Sequence, residues 1–285
     1  MDKMDLIGID LGATNVRVAR IVNNNIISVS TEKIENTASP EKLINQIRML
    51  ISKEIEPSVT AIGMGVPSVV DVEAGIVYDV QNIPSWKEVP LKKILEKDFD
   101  KPVYINNDAN CFVLGEKYFG KAGGSSSVAG LIIGTGFAAG LIFNNKLYSG
   151  PNCGAGEVGM MPYLDSIYEH YCSGQFFEKH KNIKGSKLFE RALEDNEEAL
   201  EVYEEFGTHL GNALKAVLYA YDPELIVFGG GVRKAYPFFK DAMYKSLSDF
   251  AYKNSLDNLT ITVSELDEIA VLGAAALVLD HKTQN

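Results

Sequence analysis

An α/β protein of two lobes is what this chain predicts, and three observations lead there. A pattern of strand, polar glycine turn, strand, asparagine turn and strand occurs twice, at residues 6–29 and 128–148. Strand-like runs alternate with amphipathic helical stretches along most of the remaining length. The 285 residues, 46% of them hydrophobic, are enough for a full core in two lobes of ordinary size. We place the first lobe at residues 1–117 and the second at 118–266, with a C-terminal helix over about 267–282 packing back on the first.

The elements follow in order. Leu6–Ile9 is a β-rich run that ends in Asp10-Leu11-Gly12-Ala13-Thr14-Asn15; Val16–Ile21 alternates again, and Ile26–Val29 returns after an Asn23–Asn25 turn. Ser39 and Pro40 supply the N-cap and first position of a helix whose buried stripe is Leu43, Ile44, Ile47, Leu50 and Ile51. Thr60–Val66 is a strand leading into Pro67-Ser68, and Gly75–Tyr78 and Asn82–Trp86 follow. Trp86, the single tryptophan, suits a core or a lobe edge better than ligand stacking. Val103-Tyr104-Ile105 is a strand ending in Asn106-Asn107-Asp108, and a helix starts directly after it.

The second copy runs through Val128–Ile133, Gly134-Thr135-Gly136, Ala139–Phe143, Asn144-Asn145 and Lys146–Tyr148. Small residues then surround a single carboxylate, Glu157, in Gly154-Ala155-Gly156-Glu157-Val158-Gly159. A largely helical region opens near Tyr168. Glu197–Tyr221 is a long helix stopped by Asp222-Pro223, Leu225–Phe228 is a buried strand running into Gly229-Gly230-Gly231, and Leu259–Val263 is the last strand. The small-residue helix Ala270–Leu279 closes the chain.

The chemistry concentrates in a few places. A carboxylate at a strand-to-helix joint can be held rigidly, so Asp108 is a candidate general base with Asn107 orienting a substrate beside it; the other role open to Asp108 is that of a helix cap. The turns at Gly12/Thr14 and Gly134–Gly136 offer backbone N–H groups and hydroxyls with no Cβ in the way, as a phosphate needs. Asp10 adds an oxygen ligand for Mg²⁺, reached through water. Gly229, Gly230 and Gly231 let backbone approach a flat group such as a nucleoside. Neither a P-loop nor a dinucleotide-binding GxGxxG is present.

Composition excludes several classes. With 27 Lys+Arg against 38 Asp+Glu, the net charge of −11 disfavours nucleic acid and anionic membrane as partners. Three cysteines without CxxC spacing point to neither a disulfide framework nor a zinc knuckle, and to a reducing cytoplasm. The first residues carry no signal-peptide pattern, and the longest apolar run is too short for a bilayer.

Taken together, Asp10–Asn15, Asn107-Asp108-Ala109-Asn110, Gly134–Gly136, Gly156–Gly159, Gly229–Val232 and Leu272-Gly273-Ala274-Ala275 resemble the ROK family (repressors, open reading frames and sugar kinases), from about residue 5 to 280. The resemblance implies an actin-like ATPase (ribonuclease H-like) fold, two lobes with a central cleft where ATP and a hexose meet. It implies ATP-dependent phosphorylation of a hexose 6-hydroxyl, with glucose ahead of fructose, mannose or an N-acetylhexosamine, in a homodimer. It further implies Asp108 as the base, Asn107, Glu157, Glu169, Ser68 and Asn82 as sugar ligands, and Gly12, Thr14, Gly134, Thr135 and Gly136 around the triphosphate. Asp10 would assist Mg²⁺, and Gly229–Gly231 would lie near adenosine.

Two departures stand out. Met160 sits where kinases of the family carry histidine, and the CxCGxxGC zinc loop is missing between Met161 and Glu169, so zinc is expected to be absent. The family's repressors carry an N-terminal helix-turn-helix, for which a first strand at residue 6 leaves no room. A catalytically silent sugar-binding or regulatory protein is disfavoured by the presence of Asp10, Asp108 and both phosphate turns.

Overall fold

The computed structural model describes residues 4–12, 14–34, 39–80 and 83–284. The chain divides into two compact units, one of Met1–Gly124, Lys146–Ala155 and Leu266–Asn285, the other of Ser125–Asn145 and Gly156–Glu265. Lys146–Ala155 thus belongs with the first unit, although the strand before it belongs to the second.

In the first unit the strands are β1 (Asp5–Leu11), β2 (Asn15–Val22), β3 (Asn25–Lys33), β4 (Ala61–Val66), a small sheet of β5 (Val70–Asp71), β6 (Ile76–Tyr78) and β7 (Glu88–Val89), and β8 (Val103–Asn107). The main sheet runs β3-β2-β1-β4-β8. β1 pairs antiparallel with β2 and parallel with β4, and β4 pairs parallel with β8. Parallel strands are covered on both faces, which explains why all six residues of β4 are buried. Helix α1 (Pro40–Glu54) buries the stripe its sequence predicts, although Ser39 makes no side-chain cap bond. Trp86 is fully buried in the same core cluster.

Helices α2 (Leu91–Phe99) and α3 (Asp108–Phe119) flank β8, and the last helix, Ile269–Gln284, packs on β1, β4 and α3. Glycines make that packing close. A Cβ on Gly63 would collide with the Ala274 carbonyl, one on Gly8 with that of Val271, and one on Gly273 with that of Cys111.

The second unit repeats the scheme. β9 (Val128–Ile133) pairs antiparallel with β10 (Phe137–Phe143) and parallel with strand Leu225–Gly229, which pairs parallel with Thr260–Val263. The helical part comprises α4 (Tyr168–Cys172), α5 (Gly174–Lys179), α6 (Gly185–Leu193), α7 (Glu197–Tyr221), α8 (Tyr236–Leu247) and α9 (Lys253–Asn258). α7 ends where the sequence places it, with Asp222 in the left-handed region at φ 42° just before Pro223. Among the described residues no helix is long and apolar enough to cross a membrane.

Candidate active site

Register assembles the first group of residues. Asp10 lies opposite Gly65, and Gly65 opposite Asn106, so the carboxyl ends of three adjacent parallel strands line up, the place where open α/β sheets present ligand-binding groups. Asp108 follows as the first residue of α3. Asn107 is the N-cap, its Oδ1 accepting from the Ala109 N–H at 2.8 Å; that same N–H also lies 2.8 Å from Asp108 Oδ1. Asn107 thus holds the N-cap position, and Asp108 shares its acceptor role toward the Ala109 N–H. Asn107 Nδ2 donates to the Ser68 carbonyl at 3.3 Å, which joins two of the predicted sugar ligands. The Ser68 hydroxyl donates to the Tyr78 carbonyl, leaving it acceptor capacity toward a ligand. Asn82 lies outside the described residues.

Beneath this group is a network the sequence reading missed. Asn106, almost fully buried, accepts at Oδ1 from the Asn107 N–H (2.8 Å), Asn110 Nδ2 (2.9 Å) and the Cys153 thiol (3.2 Å). Asn110 Nδ2 also reaches Ser149 Oγ at 3.3 Å. Burial pushes the Cys111 thiol well up, and the charges of Asp108 and Asp10 add to it, so both carboxylates bear on one spot. The only hint in sequence was the run of short amides around Asp108.

Burial raises Asp10 to about 6, against the opposing pull of Arg17, its partner across β1 and β2; Glu268, which pairs with Arg17, pushes the same way as burial. A carboxylate so placed gains from a nearby cation. Among the described residues no group of three or more His, Cys, Asp or Glu could cage a metal. Asp10 therefore fits a hydrated Mg²⁺ delivered with a nucleotide better than an all-protein site.

The two turns expected to hold phosphate differ from expectation in one respect. The Gly12 N–H is taken by the Asn15 carbonyl (2.9 Å) and the Gly134 N–H by that of Gly136 (3.0 Å), so neither points out as a free donor. Close approach remains: a Cβ on Gly134 would meet nothing within 4 Å. Thr14 is exposed at the tip of its turn, its carbonyl accepting from the Ile34 N–H at 2.8 Å.

Gly134 and Thr135 edge a cavity of about 520 Å³ in the second unit, within the usual range for small-molecule sites. Its wall includes Gln175, Gly231, Lys234 and the rings of Phe177, Phe189 and Tyr203, none of which the sequence reading singled out except the glycine. Of the three glycines, Gly231 faces open space. Gly230, at φ 79°, is needed for a different reason, since a Cβ there would strike the Ile133 carbonyl, and Gly229 pairs with Ile132 in the sheet. A larger hollow of about 630 Å³ beside Tyr219, Phe250 and Tyr252 is lined by none of the predicted site residues.

Glu169, on α4, is tied to the turn that precedes β10. Its Oε2 accepts from the Phe137 N–H at 3.2 Å and its Oε1 from Gln175 Nε2 at 2.8 Å. Gly136 faces this carboxylate and not the cavity, because a Cβ there would sit 2.8 Å from Glu169 Oε2. Glu157 is exposed as a residue, yet desolvation of its carboxyl and then the charge of Glu169 raise it above its ordinary value. Met160, 58% exposed, ends the short turn that Glu157 begins.

Where a zinc loop would stand, Pro162–Tyr163 and Ser166–Ile167 form a tight hairpin. Tyr163 stacks on Tyr168 at 4.3 Å, its hydroxyl lies 3.0 Å from His209 Nδ1 and it accepts from Asn212 Nδ2 at 3.0 Å. Tyr171 meets Tyr163 edge-on. These rings fix the start of α4, and with it Glu169, by packing.

The duplicated sheets, with glycine turns at their strand ends, are those of the actin-like ATPase (ribonuclease H-like) fold. Residues 6–281 match the ROK family, and the chain belongs to it. It is 28% identical to a glucokinase of Thermotoga maritima across 99% of each chain. It is 32% identical to an N-acetyl-D-glucosamine kinase of Vibrio cholerae over 79% of this chain and 83% of that one, and 29% identical to a xylose repressor of Caldicellulosiruptor bescii over 98% and 79%. A ROK family glucokinase from Streptomyces griseus, solved in complex with glucose and AMPPNP, superposes with a TM-score of 0.80 at 24% identity, covering 96% of this chain and 98% of its own.

Proposed function

We propose that the chain phosphorylates the 6-hydroxyl of a hexose, with glucose first among acceptors. It is an ATP-dependent sugar kinase, as membership of the ROK family and its kinase relatives support. The observation that carries the reading is Asp108 at the first position of α3, with the N-cap position held by Asn107. Asp108 takes the hydroxyl proton as the oxygen attacks the γ-phosphorus, and Asn107, Ser68, Glu157 and Glu169 hold the remaining hydroxyls. Lys234 and the glycine-edged, ring-lined cavity suit a nucleotide, with Gly231 admitting its flat base. Asp10 would hold Mg²⁺ through water, and the ion would supply charge neutralisation to the phosphates.

An N-acetylhexosamine is the second reading, favoured by the exposed thioether of Met160 beside Glu157, which offers an acceptor an apolar contact. A coupled ADP-release assay over hexoses and N-acetylhexosamines tests both: turnover of glucose ahead of the amino sugars supports the first, the reverse order the second. No turnover on any of them overturns the kinase assignment. Asp108→Asn should keep sugar binding and lose roughly 10²–10⁴-fold in kcat; a near-parental kcat would leave Asp108 as part of the helix cap only.

A further inference from the structure

We propose that Gln175 is a positioning residue that couples the nucleotide cavity to the sugar-binding carboxylate Glu169, so that each substrate strengthens binding of the other. The inference rests on the kinase reading above and adds to it a link the sequence did not reveal. Gln175 is the second residue of α5, its N–H donating to Oγ of the N-cap Ser173 at 3.1 Å, so the start of the helix is pinned. Its side chain lines the cavity, and its amide nitrogen donates to the Thr135 carbonyl at 3.3 Å and to Glu169 Oε1 at 2.8 Å. One amide therefore touches both the glycine turn at the cavity rim and the carboxylate beyond it.

The arrangement is a closed ring. Thr135 and Phe137 belong to the same turn and strand start, Phe137 N–H holds the other oxygen of Glu169, and the Gly174 N–H donates to the Gly134 carbonyl at 2.7 Å. A nucleotide that steadies the turn at Gly134–Thr135 also steadies the donors that aim Glu169. A sugar hydroxyl bound to Glu169 fixes the same amide from the other side. Because coupling between two binding sites is reciprocal, one factor describes both directions. The chemistry is specific to an amide: it supplies two N–H groups, one for a carbonyl and one for a carboxylate, with no charge to repel or over-bind either.

The test measures the affinity of glucose and of N-acetylglucosamine by calorimetry, with and without Mg²⁺–AMPPNP, in the parent protein and in Gln175→Met and Gln175→Glu. The parent should bind the accepted sugar at least roughly 5-fold tighter when the nucleotide analogue is present. Gln175→Met keeps the length and loses both donors, so the ratio should fall to about 1–2 while AMPPNP still binds. Gln175→Glu sets a further carboxylate against Glu169, whose charge already bears on Glu157, and should weaken sugar binding relative to the parent at the same pH more at about pH 8 than at about pH 6, a difference that a packing role would not give. A parental ratio near 1, or a Gln175→Met protein that keeps the parental ratio, overturns the proposal. Failure of the parent to bind either sugar or AMPPNP would count against the kinase reading itself, and is distinguishable because no ratio could then be formed.

Discussion

Gly136→Ala separates the two halves of the proposed reaction, because its methyl meets the sugar-side carboxylate and not the nucleotide cavity. The new Cβ would lie 2.8 Å from Glu169 Oε2, where ordinary contact begins at 3.4 Å, so the oxygen must retreat by about 0.6 Å. It now accepts from the Phe137 N–H at 3.2 Å, and a retreat along that line takes the pair to about 3.8 Å, beyond a useful hydrogen bond. Losing one hydrogen bond to a charged group costs roughly 1.5–3 kcal/mol, or roughly 10- to 150-fold in affinity for a ligand that needs Glu169 in place. Gly134→Ala is the matched control, since its methyl enters open space at the cavity rim. Sugar and AMPPNP affinities measured by calorimetry on both variants should cross: Gly136→Ala weakens the sugar, Gly134→Ala the nucleotide. If Gly136→Ala weakened AMPPNP and left the sugar alone, the assignment of that turn to Glu169 would be wrong.

Three further outcomes follow from the same geometry. Burial raises folded Asp10 to about 6 against 3.8 for a free carboxyl, so the native chain binds the extra proton between those values and loses stability as pH rises through about 6; Asp10→Asn should stabilise the metal-free protein at about pH 8 by up to ~3 kcal/mol, read as a higher melting temperature, and leave it unchanged below about pH 4. A lower melting temperature for Asp10→Asn at pH 8 would contradict the burial argument. The hairpin and ring cluster around Tyr163 should make a zinc-selective chelator without effect on melting or turnover, whereas about one zinc per chain by elemental analysis, with activity lost on chelation, would show that another ligand set exists. Gly63→Ala, which drives a methyl against the Ala274 carbonyl, should cost at least the ~1–3 kcal/mol of an overpacked core; unchanged urea unfolding would mean that the last helix shifts freely.

How much of this could be read from sequence depended on the range of the interaction. Strand ends announce themselves locally, because a run such as Val103-Tyr104-Ile105 giving way to Asn and Asp is a change of period and polarity within a few residues, and β1, β8, α7 and the duplicated hairpins were legible for that reason. The glycine turns were legible as turns, but what each glycine makes room for was not. Gly134 and Gly231 leave space at the cavity, Gly136 makes room for a glutamate 33 residues on, and Gly230 yields to the backbone of β9. Composition cannot separate a glycine kept for a ligand from one kept for the protein's own carbonyl, since both need only the missing Cβ. Gln175 and Asn106 escaped for a related reason: each is an ordinary amide whose importance comes from partners up to 47 residues away in sequence yet adjacent in space, Thr135 and Glu169 for one, Asn110 and Cys153 for the other.

The missing zinc loop shows the converse, that a deletion visible in sequence need not say how its task is done. The segment after Met161 must still present Glu169 to Phe137 and Gln175, and packing is the means available to a short hairpin with apolar rings. Tyr163, Tyr168 and Tyr171 are spaced so that two sit on α4 and one on the hairpin facing it, and His209 and Asn212 on α7 supply the hydrogen bonds that fix the Tyr163 hydroxyl. A metal fixes a loop by a few strong bonds to its own side chains, whereas this cluster fixes α4 by tying it to α7, one of the longest elements of the second unit. The orientation of Glu169 is thereby made to depend on the core of that unit, so substitutions at Tyr163 or His209 should reach sugar affinity through Glu169 although neither residue is expected to touch the sugar.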